Sequence, residues 1–139
     1  MKAYFGRRYM LSASHRLHSE ALSAAENQSA YGKCNNPHGH GHNYIVEVMV
    51  AGPVDAATGM VMNMVDLDRV VQAQVLDRFD HANLNLDPLF AVQVQAQVPT
   101  TENFCKAVCN LLRPALPAGM LEQVRIEETE NNFFEYRGA

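Results

Sequence analysis

The chain has 139 residues, 47% of them apolar and 19% charged, with a net charge of −4, the size and balance of one globular domain over residues 1–139. The negative charge excludes an ordinary nucleic-acid binder, which is basic, and no apolar run nears the ~20 residues of a bilayer span. With no signal-peptide pattern and three cysteines in no pairing pattern, a reduced cytoplasmic protein is expected.

Taken in chain order, Tyr4 to Ala13 is rich in aromatic and apolar residues and predicts a first strand. The polar stretch from Ser14 to about Pro37 has no period and reads as a long loop, of the kind that in compact domains is functional or disordered. Asn43 to Ala51 is the strongest strand, a β-branched run interrupted by Glu47. Asp66 can cap a helix carrying Leu67, Val70, Val71, Val75 and Phe79 at helical spacing. After the turn-rich break from Asp80 to Pro88, Thr100 or Thr101 can cap a second helix with Phe104, Val108, Leu111 and Leu112 on one face, ending near Pro114. Leu121 to Glu130 and Phe133 to Arg137 read as two strands joined through Asn131-Asn132, a tight-turn pair. The order strand, strand, helix, helix, strand, strand predicts an α+β fold, a four-stranded antiparallel sheet with two helices on one face.

Five of the six histidines lie between His15 and His42, and the densest piece runs Cys34-Asn-Asn-Pro-His38-Gly-His40-Gly-His42-Asn-Tyr44. Side chains two apart on an extended backbone share a face, so a His-x-His pair can present two imidazoles to one metal. Neutral imidazole suits zinc, and three protein ligands with an open fourth position mark a catalytic zinc. The third ligand must come from elsewhere, and His15, at the end of the first strand, leads the candidates. Cys34, beside Lys33 in a Gly/Pro/Asn-rich loop, is placed for a reactive thiolate. Cys105 and Cys109 lie four apart on a predicted amphipathic helix and read as core. Asp80 beside His81 is a carboxylate–imidazole pair suited to proton transfer. Glu127, Glu128 and Glu130 fall at a strand end, where a carboxylate can accept from the N–H groups of a heterocycle.

Six strings carry a resemblance across about residues 4 to 137. They are Ser12-Ala-Ser-His15-Arg, Cys34-Asn-Asn-Pro-x-Gly-His40-Gly-His42-Asn-Tyr44, Gly59-Met-Val-Met-Asn63, Asp80-His81-x-Asn-Leu84, Thr100-Thr-Glu-Asn103 and Glu128-Thr-Glu-Asn-Asn132. Together they closely resemble the 6-pyruvoyl tetrahydropterin synthase family. The resemblance implies a tunnelling fold in which three subunits close a twelve-stranded barrel, two trimers stack into a homohexamer, and the active site lies at a subunit interface. It implies zinc on His15, His40 and His42, proton handling by Cys34, Asp80 and His81, and anchoring of the pterin ring by Glu128 with Thr100 and Thr101. The implied reaction converts 7,8-dihydroneopterin triphosphate to 6-pyruvoyl tetrahydropterin with loss of triphosphate, for which Arg16 and Lys33 are candidate partners.

One departure opens a second assignment. His38 lets the segment be read as Cys-x₃-His-Gly-His, the spacing of the related 6-carboxytetrahydropterin synthases of queuosine biosynthesis, which use the same substrate. The Asn43-Tyr44 that follows and the Glu-Thr-Glu-Asn-Asn ending favour His40 and His42. A pterin- or zinc-binding protein without turnover is the alternative of another class; it has no need of the Cys34, Asp80, His81 set.

Overall fold

The computed structural model describes residues 1–91 and 97–138. Two long strands dominate: β1 (Ala3–His15) and β2 (His40–Gly52) pair antiparallel along their whole length, from Ala3 opposite Gly52 to His15 opposite His40. Strand β2 pairs on its other side with β4 (Leu121–Glu127), with a register shift at Met49/Val50, and β4 pairs with β5 (Phe133–Tyr136). The expected sheet gains a fifth member, the two-residue β3 (Ala82–Asn83), which lies parallel to β1 opposite Ala13 and Ser14. The order is β3-β1-β2-β4-β5. Strand β3 is too short to leave a periodic signal, which is why the sequence shows it only as part of a turn-rich break.

Among the described residues three helices accompany the sheet rather than two. Helix α1 (Ala24–Tyr31) falls inside the stretch expected to be loop, and a 3₁₀ turn (Gly32–Asn35) follows it. It has no apolar stripe to betray it; its one buried residue is Asn27. A capping box starts it instead: the Glu26 N–H donates to Ser23 Oγ at 3.1 Å, and the Ser23 N–H donates to Glu26 Oε1 at 2.9 Å. The Asn27 amide donates to the Ser19, Leu22 and Ser23 carbonyls, tying the helix to the chain before it.

Helix α2 (Met64–Val71) is capped by Asn63, whose side chain accepts from the Val65 N–H at 2.8 Å; Asp66 sits in its first turn and is not the cap. It continues through a π-helical segment (Gln72–Leu76) into a last turn (Asp77–Phe79), and Val75 and Phe79 stay buried despite the change of pitch. Helix α3 (Thr101–Leu112) takes Thr100 as its cap. The strands expected at the C-terminal end are joined by a five-residue connection, residues 128–132, rather than a two-residue turn.

Alternation along the strands decides what faces the helices. Leu11 and Ala13 of β1, Tyr44, Val46, Val48 and Val50 of β2, and Val124 and Ile126 of β4 are buried with Leu67, Val71, Val75 and Phe79 of α2 and Phe104, Cys105, Val108, Cys109 and Leu112 of α3. Each fully buried valine, leucine, isoleucine or phenylalanine among them contributes roughly 1.5–3 kcal/mol relative to exposure. The opposite face of the sheet is mixed: Arg8, Glu47, Arg125 and Glu135 are register neighbours across four strands, with the exposed Tyr4, Met10 and Phe133 among them. Among the described residues no helix is long and apolar enough to cross a membrane.

Candidate metal centre and active site

The face that buries the core carries imidazoles at one end. His15 stands opposite His40, and His42 is two residues further along β2, so all three side chains project from the helix-covered side of the sheet. Their candidate ligand atoms all lie within 4.8 Å of one another. The Nε2 atoms of His15 and His40 are 3.0 Å apart.

The surroundings leave these nitrogens ready to bind a cation. His15 is 1% exposed, and its Nδ1–H donates to the Pro99 carbonyl at 2.7 Å. That bond leaves the Nε2 lone pair free, the usual outer-shell arrangement of a metal-binding histidine. Nε2 of His42 is buried without a hydrogen-bond partner, an orphan that a bound ion would satisfy. Burial holds both His15 and His42 below the ordinary imidazole range, against the opposing pull of Glu128 on each. A neutral ring is the ligand form. Beneath them Tyr44 is fully buried, edge-on to His15, His42 and Phe104, and burial pushes its phenol pKa upward. Three converging imidazole nitrogens, one of them an orphan, make a donor set that suits a divalent ion such as zinc.

Glu128 follows β4 on the same parity as Val124 and Ile126, and so faces the histidines, whereas Glu127 lies on the other face. Its Oε1 stands 3.6 Å from His15 Nε2 and 3.4 Å from His42 Nε2. Its Oε2 accepts from the Asn132 side-chain amide at 2.9 Å.

Asp80 and His81 face each other, which their adjacency alone did not guarantee: His81 Nδ1 lies 3.0 Å from Asp80 Oδ1. Asp80 also accepts from the Ser12 N–H at 2.9 Å, and the His81 N–H donates to the Ser12 carbonyl, which docks the pair on the β1 edge. His81 has φ 63, a left-handed conformation unusual for a residue with a side chain. His81 and His42 share an open cleft of about 490 Å³ with Ser12, Ser14, Asn43 and Asn83.

Cys34 belongs to neither group. It sits half-buried in the 3₁₀ turn after α1, its carbonyl accepting from the Leu17 N–H at 2.9 Å. It lines neither the cleft nor the histidine cluster. His38 is exposed on the turn before β2 and outside the cluster, and His18 contacts Asn35 and Glu20. Thr100 caps α3, and Thr101 is buried at its first turn. Sequence reasoning missed the Pro99 carbonyl that orients His15, because a main-chain acceptor leaves no mark on residue type. Asn132 shows in the sequence as a turn former and part of a family string, and its bond to Glu128 appears only in the structure.

Fold and site together define an α+β protein with three convergent histidines able to hold a metal ion and an open cleft that His42 also lines. A family model described as 6-pyruvoyl tetrahydropterin synthase matches residues 5–139. A human protein named 6-pyruvoyl tetrahydrobiopterin synthase is 46% identical over 137 residues, covering 99% of this chain and 92% of its own length. An Archaeoglobus fulgidus protein described as a candidate 6-carboxy-5,6,7,8-tetrahydropterin synthase is 36% identical over 119 residues, or 86% of this chain and 91% of its own. The solved structure of Caenorhabditis elegans 6-pyruvoyl tetrahydropterin synthase superposes with a TM-score of 0.91 at 40% identity, covering 100% of this chain and 97% of that one. The chain belongs to the 6-pyruvoyl tetrahydropterin synthase family.

Proposed function

We propose that the chain is a zinc-dependent carbon–oxygen lyase that converts 7,8-dihydroneopterin triphosphate to 6-pyruvoyl tetrahydropterin with elimination of triphosphate. The observation that carries this reading is the convergence of His15, His40 and His42 on one point, with Glu128 on the same face beside them. Zinc held by the three imidazoles would polarise the side-chain oxygens of the substrate and acidify the neighbouring C–H bonds. Glu128 accepts hydrogen bonds from the pterin ring N–H groups and fixes the ring, helped by Thr100 and Thr101. The Cys34 thiolate removes the acidified proton. Asp80 orients His81, which moves the proton onward.

Cys34 is not among the residues lining the cleft with His42 and His81, and an active site at a subunit interface, as the family resemblance implies, would let a neighbouring subunit complete the proton-handling set. The open edges agree with this. Strand β1 is paired on its outer side only at Ala13 and Ser14, and β5 is the last strand at the other end. Such edges invite pairing with further copies, and a trimeric barrel stacked into a homohexamer removes them. The enzyme works in a reduced cytoplasmic setting, where its three free cysteines stay as thiols.

Incubating the zinc-loaded protein with dihydroneopterin triphosphate and weighing the product by mass spectrometry tests the reading. A pyruvoyl pterin supports it. The 36% identical relative keeps 6-carboxytetrahydropterin formation as the second reading, and a carboxypterin product would replace the first with it. Intact substrate would leave a binding protein without turnover.

A further inference from the structure

The carboxylate of Glu128 is divided between two jobs. Oε2 is held by the Asn132 amide at 2.9 Å, and Thr129 Oγ donates to Asn132 Oδ1, which sets the amide with its NH₂ toward the carboxylate. Oε1 is left pointing at Nε2 of His15 and of His42, at 3.6 and 3.4 Å. These separations match the ~3.4 Å between neighbouring ligands around a tetrahedral zinc with ordinary zinc–nitrogen bond lengths. The Glu128 side chain is 16% exposed, and among the described residues no lysine or arginine pairs with it. A partly buried carboxylate with no cationic partner is costly, and a divalent ion held by the neighbouring imidazoles would compensate it. Oε1 stands outside the group of donors that all lie within 4.8 Å of one another, so ligation requires the side chain to swing toward His40.

We propose that Glu128 caps the three-histidine metal site of the substrate-free protein through Oε1, with Asn132 as its positioning residue, and that binding of the pterin ring draws the same carboxylate away. This rests on the reading of the histidines as the metal site and of Glu128 as the ring anchor. It adds an order to the reaction: ring capture uncaps the metal, and the open position then receives the side-chain oxygens of the substrate. A metal kept capped until the ring is seated holds solvent and stray anions off it.

Cobalt(II) is the probe, because its visible absorption reports the ligands around it independently of turnover. Chelator competition and visible spectra are recorded for the Co²⁺-loaded full-length protein, for Glu128→Gln and Asn132→Leu, and for wild type saturated with unsubstituted pterin, whose binding is followed by its fluorescence. Both variants are expected to weaken Co²⁺ binding about tenfold or more. The Glu128→Gln spectrum without pterin is expected to resemble that of wild type with pterin. Wild-type affinity and spectrum in Glu128→Gln would overturn the proposal. So would bound pterin that leaves the wild-type spectrum unchanged, a measurement that needs no variant to fold. His42→Ala is the control: if it holds Co²⁺ as tightly as wild type, the metal-site reading fails and the cap fails with it.

Discussion

The two halves of this site are built in opposite ways. The imidazoles of His15, His40 and His42 stand on the paired ends of two long strands, and the ladder that begins at Ala3 and Gly52 fixes their register. Cys34, Asp80 and His81 sit on turns: Cys34 in the 3₁₀ segment after a helix with almost no core, and His81 with 82% of its side chain exposed. The three imidazoles proposed for the metal converge inside one chain, whereas Cys34 is not among the residues that line the cleft with His81. Groups that must converge within a few ångströms gain from a rigid sheet. Groups that act only once subunits and substrate have come together can be carried on turns.

Removing His42 gives the largest effect expected from this contrast. His42→Ala should take metal content, measured by elemental analysis, from stoichiometric to background, while His38→Ala keeps it. The reverse result would move the metal half onto the exposed turn and dissolve the comparison. Cys34→Ala should lower turnover by about 10²–10⁴-fold, the usual weight of a positioned acid or base, with metal content and melting temperature unchanged. Retained turnover would mean that the second half is not this one.

Phe104 packs edge-on against Tyr44 and Phe79, below the imidazoles. Phe104→Ala should therefore cost about 3–5 kcal/mol in denaturant titration and loosen metal binding with it, because the core and the metal half share one support. Ser23→Ala removes the cap of α1 on the turn-borne side. It should cost about 1 kcal/mol, a few degrees in a melt, and leave metal binding as it was. Equal effects of the last two changes on the metal would show the halves to be mechanically joined.

Periodicity revealed those elements whose stability comes from the common core. The β-branched run in β2 and the spacing of Phe104, Val108 and Leu112 in α3 announce themselves, since burial on one face is what forms them. Helix α1 does not, because a capping box and the Asn27 amide hold it. Strand β3 does not either, its pairing with β1 being made by the chain turning back after α2. The same contrast runs through the site. His40 and His42 advertise a shared face by alternation, but His38 alternates equally well. Only the position at which β1 and β2 start to pair excludes it, leaving it on the turn while His40 meets His15.

The amino-acid sequence by itself determined the α+β class, the two core helices and the family, and offered a set of candidate site residues, since each of these follows from residue type, order and spacing. Which imidazoles meet, that the Pro99 carbonyl turns the His15 lone pair inward, and that Glu128 rather than Glu127 looks at them were decided only in the tertiary structure. Strand register, main-chain acceptors and sheet face arise from contacts between segments far apart in the chain, and no local pattern encodes them.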